Sequence, residues 1–495
     1  MMKKAMTYMM LLASIVVATC CTADSVTDDE GSASTWEGET TYATNTGTLA
    51  DNNVAVVWTS EGATVDVANN ISSLVKATIT GGHVCLLADP SLAEEVTYTL
   101  SGTSTDGSFY MDGEYKATFV LNGLTLTSNR TDSAAINIRD GKRIAIALAD
   151  GTVNTLQDRS GGSHKACMMV NGHTEFQGSG TLNLTGKTAH AFWGDEYVEL
   201  KKSTGTINVK SAVTDGFNIN QYFYMKGGVI NIDGSVGDDG IAVQLTDDAS
   251  DEQNGQVIID DGTLNISVTG SSAKALKSEG AMTINGGTLT LSSSKNEAIE
   301  SESTLTINGG YVYTQASDDA INSASHLTIN GGYVMGYSTG NDGIDANGNM
   351  YIKGGTVYAI CAGGAEVALD ANTEGGYKLY VQGGNVIAIG GLENGASLSQ
   401  SCYQASPWSK NTWYSLTNGT ETIAFKTPSS GGNGLVLSAS SQPTVLSGVS
   451  TSNGTTILNN MMVVSPTVSG GSSVSLSTYS GGNGMGPGMG PGGRW

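Results

Sequence analysis

Along most of this chain apolar and polar residues alternate in runs one strand long, each closed by glycine. In the C-terminal half the alternation becomes a repeat: TINGGTLTLSSSKNEAIES, TINGGYVYTQASDDAINS, TINGGYVMGYSTGNDGIDAN and YIKGGTVYAICAGGAEVALDAN. The glycine pairs at 286/287, 309/310, 331/332 and 354/355 lie 23, 22 and 23 residues apart. A period of that length makes each unit one turn of a solenoid. Alternation then assigns three inward columns: Ile284, Ile307, Ile329 and Ile352; Leu289, Val312, Val334 and Val357; Ile299, Ile321, Ile344 and Leu369. Three columns per coil predict an all-β, right-handed parallel β-helix, with the glycine pair supplying the positive φ of one corner. Weaker copies begin at Phe119, Ile146, Phe176, Ser203, Met225 and Ile258, and a last one at Tyr380. About eleven coils at ~4.8 Å each make a stack roughly 50 Å long.

The open edges of such a stack call for caps. Residues 51–116 read as an N-terminal β cap region, 117–395 as the β-helix, and 396–480 as a C-terminal β cap. Trp408, Trp413 and Tyr414 belong to that C-terminal cap. Residues 481–495 are a Gly/Met/Pro-rich tail expected to be disordered. Residues 1–20 carry two lysines, an apolar run and a cysteine, the pattern of a lipoprotein signal peptide, with Cys20 the expected acylation site and Cys21 the alternative. Residues 21–50 read as a flexible, acidic linker. This start predicts a surface-exposed outer-membrane lipoprotein, meeting the membrane only through its anchor. The formal charge of −23 argues against nucleic acid and anionic membrane as direct partners. Cys85, Cys167, Cys361 and Cys402 form no C-x-x-C pair and are expected to be small buried core residues. A monomer is expected.

The stacking also aligns carboxylates. The position before the small-Ile step reads Asp215, Asp239, Lys274, Glu297, Asp319, Asp342, Val367; three residues on it reads Asn218, Ala242, Lys277, Glu300, Asn322, Asp345, Asp370. Neighbouring acids ~4.8 Å apart repel, so a compensating charge is required. Calcium, which takes six to eight hard oxygens, suits Asp319, Asn322, Asp342 and Asp345, with Glu297 and Glu300 adding a layer and Asp318 and Asn341 flanking. Few histidines and no cysteine pair disfavour zinc or copper. The same acids could instead be a solvated ladder partly balanced by Lys274 and Lys277. The coil carrying Val367 lacks the first acid, and no site is expected there. Between Gly228 and Gly262 one coil carries an acidic insertion, LTDDASDEQNGQ, either a binding feature or a solvated protrusion. Tyr311, Tyr313, Tyr333 and Tyr358 form an outward aromatic column, expected to face solvent within reach of sugar rings, or to stack as a structural ladder.

The D-D-A-I-N and N-D-G-I-D-A-N-G steps, the T-I-N-G-G turns, LNGLTLTSNRTDSAAINI, ALADGTVNTLQD and the VVSP step resemble the bacterial carbohydrate-binding parallel β-helix family. The resemblance spans about residues 60 to 480. It implies a pectate-lyase-like fold, bound calcium held among Asp318, Asp319, Asn322, Asp342 and Asp345, and binding of cellulose or polygalacturonate without cleavage. The expected function is therefore a calcium-dependent, non-catalytic polysaccharide-binding protein. Two alternatives stay open: a calcium-dependent lyase with Lys274 or Lys277 as base, and a purely structural adhesin stalk. A polygalacturonase reading is weaker, because that family's paired Asp should follow the N-x-D-G-I-D step, whereas here it precedes it.

Overall fold

The computed structural model describes residues 40–481, apart from 364, 365 and 433. The signal peptide with Cys20, most of the linker and nearly all of the tail lie outside the described residues. The chain divides into two compact units after Asp195.

In the first unit parallel stacking begins well before residue 117. Asn53–Thr59, Val96–Ser104, Ala117–Thr127, Arg143–Leu148 and His173–Gln177 pair in parallel, one per coil. A second face stacks Gly82–Ala88, Gly107–Asp112, Ile136–Arg139, Ala166–Val170 and His190–Gly194. The region read as the β entry and cap thus already builds coils. Its weak glycine signal hid them, because large aromatics fill the interior there. Trp58, Tyr98, Phe109 and Phe119 are all but fully buried, with Tyr98 and Phe119 stacked at 4.8 Å. The cap proper is antiparallel: Asn53–Thr59 folds back on Gly62–Val67, and Thr40–Tyr42 adds to Val75–Thr80.

The second unit is a three-sided parallel stack whose registers match the periodic columns. Ile284 aligns with Ile307, Ile329 and Ile352. Leu289 aligns with Val312, Val334 and Val357, and Ile299 with Ile321, Ile344 and Leu369. All are buried, each burial contributing about 1.5–3 kcal/mol. The glycine pair divides its labour. Only the second member is left-handed, as at Gly310 (φ +88°) and Gly332 (φ +83°). The first must be glycine because the coil below approaches closely: a Cβ on Gly309 would lie 2.6 Å from the Asn285 carbonyl oxygen. The preceding asparagines form their own ladder, the Asn330 and Asn308 amides each donating to the next at 2.8 Å.

The C-terminal region covers the stack twice. Leu435–Ser438 pairs antiparallel with Asn385–Ile389 and closes the last edge. The six-stranded antiparallel sheet that includes Trp413–Asn418 and Glu421–Lys426 lies on an outer face of the coils. Of the cysteines, Cys167, Cys361 and Cys402 are buried thiols, as expected. Cys85 is instead disulfide-bonded, a pairing that isolated spacing could not reveal.

Candidate cation site on the carboxylate ladder

The ladder stands where the turn preceding each short strand of one face delivers its acids. Asn322 on Ile321–Ser323 pairs with Asp345 on Ile344–Ala346, and Glu300 precedes Asn322 by one coil. Each aspartate of the first column spends one oxygen on the backbone of the next coil. Asp215 accepts from Asp239 N–H at 3.1 Å, Asp239 from Lys274 N–H at 2.7 Å, Asp319 from Asp342 N–H at 2.9 Å, and Asp342 from Val367 N–H at 2.8 Å. These acids therefore staple successive coils, whatever else they do.

The remaining oxygens converge. Carboxylate oxygens of Asp342, Asp345 and Asp370 all lie within 4.8 Å of one another, and those of Asp215, Asp238 and Asp239 form a second such group. Asp342, Asp345, Asp215 and Asp239 are buried. The Asn322 amide donates to Asp319 and to Asp345, each at 3.1 Å. Burial, reinforced by the charges of Asp370 and Asp319, pushes the Asp342 carboxyl up to about 9. Burial likewise raises Asp319 and Asp239 to about 7 and Asp370 to about 6. Glu393 rises to about 7, through burial and then its hydrogen bond to Asp370. The site concentrates more negative charge than its surroundings solvate, and a proton or a cation relieves it.

Of the predicted residues, Asp342 and Asp345 meet in one cluster, with Asp319 and Asn322 bonded to it. Asp318 and Asn341 bond to each other at 2.8 Å and lie outside both clusters. Glu297 and Glu300 also fall outside. Glu300 is taken by Lys274 at 3.2 Å, while Glu297 Oε2 is buried without a hydrogen-bond partner. Asp370 and Glu393 are additions. The Val367 coil, expected to carry no site, supplies Asp370. The acid that converges on Asp342 and Asp345 stands three residues further on, where this coil keeps its carboxylate.

The lysines are committed. Lys277 pairs with Glu302 at 2.8 Å; burial opposes its charge, but Glu302 prevails and its pKa is raised. The acidic insertion ties itself up, Asp251 accepting from Thr246 and Asp248 from Ser250.

The tyrosine column splits. Tyr313 and Tyr358, expected to face solvent, are buried under the C-terminal sheet with Tyr414 and Phe425. Tyr358 donates its hydroxyl to the Lys426 carbonyl at 2.8 Å. A sheet from later in the chain covers them both. Tyr311 stays exposed, while Tyr333, stacked on it at 5.6 Å with planes 10° apart, is half-buried against the margin of that cluster.

Residues 89–343 match the model of the carbohydrate-binding domain-containing protein family, just over half of the chain. The chain belongs to this family. A carbohydrate-binding domain-containing protein of Acetivibrio thermocellus is 31% identical over 124 residues, covering 23% of this chain and 42% of that protein. Among solved structures, a polysaccharide lyase-like protein from C. thermocellum, a gadolinium derivative, is similar at 24% identity and a TM-score of 0.43, covering 52% of this chain and 96% of its own. A parallel β-solenoid and carbohydrate-binding family membership thus stand together in one chain.

Proposed function

We propose that this protein binds polysaccharide at the bacterial cell surface without cleaving it, and that calcium held on the carboxylate ladder is required. Membership of a carbohydrate-binding family supports the first part. The observation that carries the second is the buried convergence of Asp342, Asp345 and Asp370 within 4.8 Å. Its donors are all oxygen, the set a hard cation prefers, and neither histidine nor cysteine takes part. Asp319 and Asn322 would complete the site, the latter by turning its amide oxygen inward. The bound ion would supply positive charge on a chain of net charge −23, which an anionic glycan such as polygalacturonate needs for a bridge.

The lysine pairings weigh against a lyase, since a base must give up its proton and Glu302 holds Lys277 in its charged form. Attachment through an acylated Cys20 belongs to the same proposal and rests on the sequence. A glycan array and pull-downs on pectin and cellulose, run with calcium and with chelator, test the reading. Calcium-dependent retention of one of these is expected. Equal retention in chelator, or none in either buffer, overturns it.

A further inference from the structure

The outward column containing Tyr311 and Tyr333 continues, coil by coil, to Thr356 and then Asn385. Tyr311 and Tyr333 stack on each other, so the second face of Tyr333 looks along the stack toward Thr356. The aromatic ladder stops there, and the two smaller side chains, Thr356 buried and Asn385 half-buried, leave a notch. Its floor is the glycine corner of three successive coils, Gly332, Gly355 and Gly384, all with positive φ and no side chain. Its far wall is the C-terminal region: the sheet contributes Asn418 and Glu421, and the connection before Thr444–Ser452 contributes Ser440. The groove measures about 380 Å³. Asn418 is held in place, donating to Ser440 Oγ at 2.8 Å and accepting from Ser441 Oγ at 2.7 Å. That wall lies beyond residues 89–343, the part that matches the family model.

We propose that this notch is a subsite for a neutral hexopyranose unit, which stacks on Tyr333 as the next rung of the interrupted ladder. One coil spacing, ~4.8 Å, is also the distance at which a flat ring packs on an aromatic face. The bare glycine floor admits the sugar edge, and Asn418, Glu421 and Asn385 offer planar polar groups to its hydroxyls. The charge decides the class. The ionisable carboxyl that lines the groove is Glu421, so a uronate carboxylate would meet like charge there. The inference rests on the carbohydrate-binding reading but not on calcium, because the notch lies on a different face from the ladder.

Isothermal titration calorimetry on the full chain tests it, with cellohexaose, mannohexaose and hexagalacturonate, each in calcium and in chelator. At least one neutral hexasaccharide should bind in both buffers, and weaken about tenfold in Tyr333→Ala and measurably in Glu421→Gln. Because Glu421 is exposed, the second variant should melt like wild type and separates binding from folding. Binding of neither neutral sugar, unchanged affinity in both variants, or loss of hexagalacturonate binding in them overturns the subsite. Calcium-dependent glycan binding that persists in both variants would leave the ladder reading standing and the subsite refuted. Neutral-sugar binding in chelator that is lost in Tyr333→Ala would do the reverse.

Discussion

Asp342→Asn separates the two jobs the ladder acids perform. Asparagine keeps an oxygen for the Val367 N–H, now 2.8 Å from Asp342 Oδ1, so the staple between coils survives. What it removes is charge. Two unit charges 4.8 Å apart, the outer limit within the Asp342, Asp345 and Asp370 group, repel by about 3.5 kcal/mol at an effective dielectric constant of 20. Without a cation, wild type escapes this by protonation, since the Asp342 carboxyl sits near 9. A neutral acid and an amide are close in shape, so below about pH 4 without calcium the variant should unfold within about 1 kcal/mol of wild type. The folded pKa exceeds the unfolded one, so this group's contribution is complete below about pH 4. It is lost as pH rises toward about 9, by at most about 1.4 kcal/mol per pH unit. The variant lacks that slope and should be the more stable of the two in chelator, by up to about 4 kcal/mol at pH 7 and by more at pH 9. Calcium should narrow that gap: at a hundredfold excess over its Kd it stabilises wild type by about 2.7 kcal/mol, and the variant by far less. Scanning calorimetry at pH 7 and 9, with calcium and with chelator, reads all four cells. Equal destabilisation of the variant in every cell would show that Asp342 is only a staple, and the cation argument would fail.

Three further outcomes follow from the packing. Gly310→Ala places a Cβ 2.8 Å from both Gly286 C and Gly287 O at φ +88° and should cost more than 1 kcal/mol in denaturant unfolding, whereas Gly419→Ala, with open space around it, should cost only its strained φ. Ile329→Ala, fully buried in its column, should lose about 2–5 kcal/mol by the same measurement. Tyr358→Phe gives up the hydrogen bond to the Lys426 carbonyl and should lose about 1 kcal/mol while glycan retention stays at the wild-type level, since the ring is covered; a loss of retention would place the sugar under the sheet.

Several features were legible from the chain alone because they repeat at two periods. Alternation of two marks inside and outside, and the 22–23-residue interval sets the register, so that Ile284, Ile307, Ile329 and Ile352 could be aligned as one column. The same arithmetic aligned Asp319 with Asp342 and Asn322 with Asp345. Inward packing is a local consequence of strand geometry, and a stack of similar coils has few other ways to bury these side chains.

Contacts that break the period needed the tertiary structure. Tyr313 and Tyr358 share their phase with residues that could face water, and only the sheet around Tyr414 and Phe425 buries them. Asp370 joins Asp342 and Asp345 because the Val367 backbone N–H bonds Asp342 and Leu369 pairs with Ile344, which holds the coil in register. Burial then decides the chemistry: a carboxylate ladder in water is ordinary, but the same ladder enclosed holds protons near neutral pH or takes a cation. Sequence determined which residues stand in line. The fold determined how much water each one keeps, and that sets the charge each can bear.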